Sequence, residues 1–394
     1  MRLSLFCHSL LSDWNHGNAH FLRGVTGELL ARGHTVSVFE PCDAWSVENL
    51  IRERGEEGLA AATSVYPWLA PIRYRLESLD LERAIDGSDV VLVHEWNDPA
   101  LVAEIGALRK RGGPFVALFH DTHHRMVTNP DAMAAYDLSG YDGVLAFGRA
   151  LRDLYLARGL ARRAWTWHEA ADTRVFWPRR DRTPPDGDVV FIGNWGDEER
   201  TVELMEFLVE PVRALGLRGA VYGVRYPQWA IDVLERAGLR YRGWVPNFAV
   251  PGVFARYRVT VHVPRGPYAR ALPGIPTIRP FEALACGIPL VSAPWEDSER
   301  LFADGRDYLQ VDSGAAMQRA LCSLLGCPSE ADRVAAHGRA TVLSRHTCAN
   351  RVDELLTVVE ELSSSRERGP GASVFPSSSV SPAAAGRAAE EGVL

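Results

Sequence analysis

"PRRDRTPPDGDVVFIG", residues 178–193, carries the decision about the fold. Its first half is charged, rich in proline and poor in apolar residues, the composition of a connector. Its second half, "DVVFIG" at 188–193, is a short apolar run of strand length bounded by a glycine. A run of the same kind opens the chain at 3–7, "LSLFC". The chain therefore begins a second time near residue 188, and one fold class has to account for both halves.

Working back from the connector, apolar runs recur at 35–40 ("TVSVFE"), 89–95 ("DVVLVHE"), 115–120 ("FVALFH"), 143–148 ("GVLAFG") and, shorter, 164–168 ("AWTWH"). Helical patterns fall between most of them; the first spans about 19–31 and stops at Gly33. Working forward, an amphipathic helix at about 199–215 is followed by runs at 219–223, 239–244, 258–264 and 288–292. Near-continuous apolar strands alternating with helices predict parallel sheets covered on both faces. The expectation is an α/β protein of two doubly wound domains. An N-terminal domain spans 1–177, a connector 178–188 and a C-terminal domain 189–345. A C-terminal helix follows at 346–362, then a disordered Ser/Pro/Gly/Ala-rich tail at 363–394.

The bulk numbers agree. A chain of 394 residues is too long for one ordinary core. A net charge of -7 gives nucleic acid no whole-chain attraction. Six cysteines stand scattered without a CxxC pair, which fits reduced thiols in the cytoplasm. No run is long enough to span a membrane. Basic residues gather between Arg149 and Arg182; weak peripheral contact with a membrane or an anionic acceptor is one reading, solvated charges the plainer one.

Ligands of doubly wound sheets bind beyond the carboxyl ends of the strands, at switch points. Two such domains facing each other make a cleft, so the residues just after each strand are the candidates. After the first strand come His16, Gly17 and Asn18 at a helix start, able to present amides and polar groups to an anion. G-x-G-x-x-G is absent, which argues against a dinucleotide enzyme. "HDTHHR" at 120–125 lacks the spacing and second cluster of a metal site, so His120 is the better candidate, as a hydrogen-bond donor to a hydroxyl or phosphate. Asn194, Arg225, Arg265 and Tyr268 follow strands of the second half, and arginines there can hold phosphate. The loop at 268–282 carries three prolines and Gly274 and can expose amides to an anion. Pro280 suits the first turn of a helix, which puts Glu282 within that turn.

"RPFEALACGIPLVS" at 279–292 resembles the "P-x-x-x-x-E-A-x-A-x-G-x-P-V" segment of retaining, group-1 GT-B glycosyltransferases. With its leading arginine it looks closer still to the CgeB-like, spore-maturation branch. "WHEAADTRVFWP" at 167–178, "FHDTHH" at 119–124 and "LLARGHTVSVFE" at 29–40 agree with other family segments in order and spacing. The resemblance covers about residues 1–345.

It implies a GT-B fold of two Rossmann-like domains, a nucleotide-diphosphate sugar bound mainly by the C-terminal domain, and an acceptor on the N-terminal one. Carried over by position, Glu282 takes the ribose diol. Arg265 and the loop residues Gly274, Ile275 and Thr277, with Arg279 beside them, face the diphosphate. Trp244, Val245 and Asn247 lie near the base, and His120 lies by the sugar. Where many relatives have a second glutamate, this chain has Gly274, which leaves sugar recognition and stereochemistry open. The donor is a substrate; no further cofactor and no metal are expected, for want of an Asp-x-Asp at a strand end. A non-hydrolysing sugar-nucleotide epimerase and a non-catalytic nucleotide-sugar-binding protein are the alternatives.

Overall fold

The computed structural model describes residues 1–179, 185–196 and 198–367. Residues 180–184 of the expected connector and 368–394 of the expected tail lie outside the described residues. The first half forms one parallel sheet from β1 (Arg2–Phe6), β2 (Thr35–Pro41), β3 (Ile72–Tyr74), β4 (Val90–His94), β5 (Val116–Asp121), β6 (Gly143–Ala146) and β7 (Ala164–Thr166), in the order β3-β2-β1-β4-β5-β6-β7. The second half repeats the scheme with β8 (Gly187–Ile192), β9 (Gly219–Tyr222), β10 (Leu239–Tyr241), β11 (Tyr257–His262), β12 (Leu290–Ser292) and β13 (Leu309–Gln310), in the order β10-β9-β8-β11-β12-β13. In each sheet the order reverses beside the first strand, so β1/β4 and β8/β11 are the switch points.

The helices that matter for the site are α1 (Asn18–Ala31), α2 (Arg149–Ala157) and α3 (Ile278–Ala285). α4 (Gly314–Gly326), α5 (Pro328–Arg345) and α6 (Cys348–Glu367) close the chain. The amphipathic pattern at 199–215 is interrupted: Thr201–Leu204 and Glu210–Leu215 are α-helical and Met205–Val209 between them is a π-helical turn.

Strand periodicity sorts the core into layers. Phe6, Val91, Val93 and Phe119 face an outer layer with Leu151, while Leu5, Leu92 and Leu118 face the opposite one. The second sheet has its own outer layer, with Val189, Phe191, Val259 and Leu321. The inner layers of the two sheets join into one core through Trp167, Phe176, Phe281, Val352 and Leu355. The chain crosses between the domains twice, and the crossings lie side by side. The Ala171 N–H donates to the His346 carbonyl at 3.0 Å, and the Cys348 N–H donates back to Ala171 at 3.0 Å. After the second crossing α6 packs against α1, where Arg32 pairs with Asp353 at 2.5 Å.

Three expectations change. β8 opens at Gly187, inside the expected connector, and α6 runs five residues past 362 into the expected tail. Helix α3 starts at Ile278, so Pro280 is its third residue and Glu282 stands in the second turn.

Candidate active site

The carboxyl ends of both sheets open on a shared cleft of about 770 Å³. That is the size of a small-ligand site rather than a packing void. Backbone strain gathers there. Asn15 (φ 51°), Arg225 (φ 61°) and Thr277 (φ 63°) are left-handed without being glycine, and all three line the cleft.

Its C-terminal wall is cationic. Arg200 is buried, donating to the Val263 carbonyl at 2.6 Å and to the Asn194 carbonyl, with its guanidinium 5.4 Å from the Phe191 ring centre. Burial draws its pKa down to about 10; the Arg265 and Arg279 charges push the same way and Tyr226 and Glu199 oppose, so it stays charged at neutral pH. Arg265, just after β11, donates to Glu199 at 2.6 Å. Arg279 is the second residue of α3, where the first N–H groups have no carbonyl within the helix. His262, on the same wall, is held neutral by burial, with a pKa of about 3, and meets Ser292 Oγ at 2.9 Å. A close set of arginines around a helix start asks for an anion.

The N-terminal wall is different. Asp13, Trp14, Asn15, His16, Gly17 and Asn18 come from the segment after β1. Trp45, Asn49, Trp96, Thr122, His123, Phe147 and Glu169 complete it. Asn18 Nδ2 lies 2.7 Å from His94 Nε2 and also donates to Thr122 Oγ1. Asn194 Nδ2 donates across the cleft to Asn15 Oδ1, while its own Oδ1 accepts from the Val224 N–H at 3.0 Å. Six buried polar atoms of the lining find no partner: Asp13 Oδ1, His16 Nε2, Asn18 Oδ1, His123 Nδ1, Arg200 Nε and Asn247 Oδ1. Buried polar atoms are seldom left so, and their concentration here marks a place for a polar ligand.

Of the residues singled out from sequence, the cleft collects His16, Gly17, Asn18, Asn194, Arg225, Trp244, Val245, Asn247, Arg265, Tyr268, Thr277 and Arg279. Four others lie elsewhere. Gly274 and Ile275 fold away: the Gly274 N–H donates to the Glu296 carbonyl at 2.7 Å, and Ile275 packs on Gly148 at the start of α2. His120 is fully buried a layer beneath the lining. Its ring lies 4.8 Å from Trp167 and 5.3 Å from His94, neither nitrogen is paired, and burial lowers its pKa to about 3. β5 runs through Asp121, two residues beyond Phe119, so it is His123 that reaches the cleft.

Glu282 also stands behind the lining, with no exposed surface. His20 Nε2 accepts from the Asp172 N–H at 2.9 Å, which puts the ring proton on Nδ1. That Nδ1–H donates to Glu282 Oε1 at 2.7 Å, Asn247 Nδ2 donates to the same oxygen at 2.9 Å, and Arg279 pairs with Oε2. The carboxylate therefore ties α1, the first crossing and α3 together, and one lone pair remains on Oε2.

The space beside Gly274 is filled from another direction. A Cβ there would sit 2.7 Å from Glu299 Oε1 and 2.9 Å from Ser298 Oγ, and φ is +88°. The Glu299 carboxylate accepts from the Arg149 N–H at 2.7 Å and meets His168 Nε2 at 3.1 Å. Glycine is the residue that fits, and a side-chain carboxylate at 274 has no room.

Sequence reasoning missed Asp13, the three tryptophans, Arg200 and Glu169. Glu169 follows the short β7, where the strand-end rule applies, but its segment read as a domain connector. It is 5 % exposed on the cleft. Burial, with the Glu282 charge adding and Arg279 opposing, raises its pKa to about 8, so it carries a proton at neutral pH. Among the described residues no group of three or more His, Cys, Asp or Glu could hold a metal ion, and no helix is long and apolar enough to cross a membrane.

Residues 17–175 match the family model described as Glycosyltransferase Family 4, and residues 200–357 match the one described as Glycosyl transferase-like. No curated protein matches the chain in sequence. Among solved structures, sucrose-phosphate synthase from Thermosynechococcus elongatus superposes with a TM-score of 0.64 at 14% identity, over 93% of this chain and 100% of the other. A glycosyltransferase from Rickettsia africae gives 0.64 at 11%, over 92% and 98%. Anabaena HepE in complex with UDP and glucose gives 0.61 at 11%, over 92% and 100%.

Proposed function

We propose that this chain, a glycosyltransferase of the GT-B fold and group-1 type, moves a sugar from a nucleotide-diphosphate donor on the cationic wall to an acceptor on the facing wall. The observation that carries the reading is the convergence of Arg200, Arg265 and Arg279 around the start of α3 in one cleft. Guanidinium groups fixed in place by the fold stabilise the charge that grows on a departing diphosphate, and preorganised stabilisation of this kind is a large catalytic term. They supply the positive charge that this step requires, so the reading calls on no divalent ion.

The C1–phosphate oxygen bond of the donor breaks, a bond from C1 to the acceptor oxygen forms, and the acceptor proton ends on the released diphosphate. We assign retention of configuration, with the departing diphosphate taking that proton. The arginine before "PFEALACG" supports reading the chain as a member of the CgeB-like branch. The ribose falls to Asn247, which Glu282 holds in place from behind the lining, and the base to Trp244 and Val245. Glu169, protonated, donates to a sugar hydroxyl and stands in for the carboxylate that Gly274 excludes. His120, beneath the floor, positions the residues above it. The reduced, unpaired cysteines of the described residues suit the cytoplasm.

Calorimetry with UDP, GDP, ADP and TDP tests the donor side, with UDP first because the Anabaena structure holds it. One nucleotide should bind at micromolar Kd, and the matching sugar nucleotides should be hydrolysed slowly without acceptor. Failure of all four to bind overturns the reading. An inverted anomer in the product overturns retention alone.

A further inference from the structure

The two walls of the cleft differ in charge. Every arginine of the lining (Arg200, Arg225, Arg265 and Arg279) belongs to the C-terminal domain. Among the described lining residues of the N-terminal domain there is no lysine or arginine, while Asp13 and Glu169 contribute carboxyl groups. The histidines of this wall add no charge at neutral pH. Burial first, then His8 and Arg23, hold His16 well below the ordinary value, and burial first, then His124, lowers His123 to about 2. Basic side chains beside this wall are engaged: Arg23, fully buried, donates to Asp13 Oδ2 at 2.7 Å and to the Leu10 carbonyl at 2.6 Å. Arg52, on the exposed rim, donates to Asn49 Oδ1 at 2.6 Å; Arg125 pairs with Glu95 at 2.9 Å and lies over the Trp96 ring at 4.2 Å. The arginines on and just after α2 are not on the lining either: Arg149 lies 3.9 Å from Glu299, Arg152 pairs with Asp153, and Arg158 donates to the Met126 carbonyl at 2.9 Å.

The same wall carries three half-buried tryptophans. Trp14 and Trp45 meet edge to face at 6.5 Å, and Trp96 meets His123 at 5.1 Å. Between them lie unpaired acceptors and ring nitrogens, Asp13 Oδ1, His16 Nε2, Asn18 Oδ1 and His123 Nδ1. An anionic acceptor would meet no lysine or arginine on this lining: Arg23, fully buried behind it, is paired with Asp13 Oδ2 at 2.7 Å, and Glu169 is protonated. A purely apolar one would leave these atoms buried and unsatisfied, at about 1–3 kcal/mol each. A sugar ring satisfies both features, since its C–H face covers an aromatic ring while its hydroxyls reach the polar atoms.

We infer that the acceptor bound on the N-terminal wall is an uncharged, polyhydroxylated one, a neutral saccharide or glycoside, and not a phosphorylated or carboxylated one. The inference rests on the glycosyltransferase reading and narrows it.

The test uses the full chain saturated with UDP. Cellobiose, maltose and p-nitrophenyl glucoside are compared with glucose 6-phosphate and glucuronate by saturation-transfer NMR and by tryptophan fluorescence. At least one neutral compound should bind ten-fold more tightly than either anion. Trp45→Ala should weaken it at least ten-fold, Trp45→Phe less, and both should leave the UDP Kd within two-fold. Because Trp45 also stacks on His8 at 4.5 Å, Trp14→Ala provides the second variant, with the same loss expected. Preferred binding of an anion, no binding by any neutral compound at 50 mM, or unchanged affinity in both alanine variants overturns the inference. Loss of UDP binding by the unmodified protein strikes the donor reading instead.

Discussion

Glu169→Gln separates a buried acid from a buried charge. Glu169 keeps a proton up to about pH 8, against 4.5 in the unfolded chain, because burial penalises its anion and Glu282 adds to the penalty. Between these values the folded state binds one more proton than the unfolded state, so stability falls as pH rises. Below 4.5 both states are protonated and the effect vanishes. At 1.36 kcal/mol per pH unit the full difference is about 5 kcal/mol by pH 8, and water in the open cleft reduces it to about 2–5 kcal/mol. Glutamine has the same shape and no proton to lose. Its melting temperature should follow the unmodified protein at pH 5 and lie several degrees above it at pH 8, at roughly 2–4 °C per kcal/mol for a domain of this size. Scanning fluorimetry from pH 5 to 9 at low salt, with urea unfolding at pH 8, measures the gap. Parallel curves, or a less stable glutamine variant at pH 8, refute the reasoning.

Glu282→Ala leaves His20, Asn247 and Arg279 without their buried acceptor; it should cost about 3–5 kcal/mol in urea unfolding, and a loss below 1 kcal/mol would show that the tie carries no weight. Arg265→Ala, on a partly exposed side chain, should lower kcat by about 10²–10³ and leave the melting temperature nearly unchanged; near-normal turnover would remove it from the diphosphate site. Gly274→Glu, which restores the carboxylate common in the family, should destabilise by about 1–2 kcal/mol from its left-handed backbone alone and more from Glu299. A stable and more active Gly274→Glu enzyme would mean that the loop can reopen.

Sequence alone revealed the central strands and the second start near residue 188, because strands buried on both faces leave continuous apolar runs. It missed β3 and β13, which have three and two residues at sheet edges and too little length for a pattern. Asn194 and Arg265 were legible because they follow strands whose apolar runs are long enough to read, and both line the cleft. The site was misplaced where an element ended a residue or two from its expected limit. β5 running through Asp121 exchanges His120 for His123. The start of α3 at Ile278 sends Glu282 into the second turn, toward His20. Arg200, eight residues beyond β8, and Glu169, inside a crossing segment, depend on how distant loops close over them, and no local pattern encodes that.

The paired crossings at Ala171 and Thr347 act as a hinge pin. A single linker lets two domains swing and twist; two strands bonded to each other leave one axis of rotation. The polar bonds that join the two domains around the cleft are Asn15–Asn194, the Asn247 N–H to Asp13, His20–Glu282 and the Arg149 N–H to Glu299. Substrate entry is thereby linked to a small, countable set of polar bonds, and exchange rates at the Arg149 amide report on it directly.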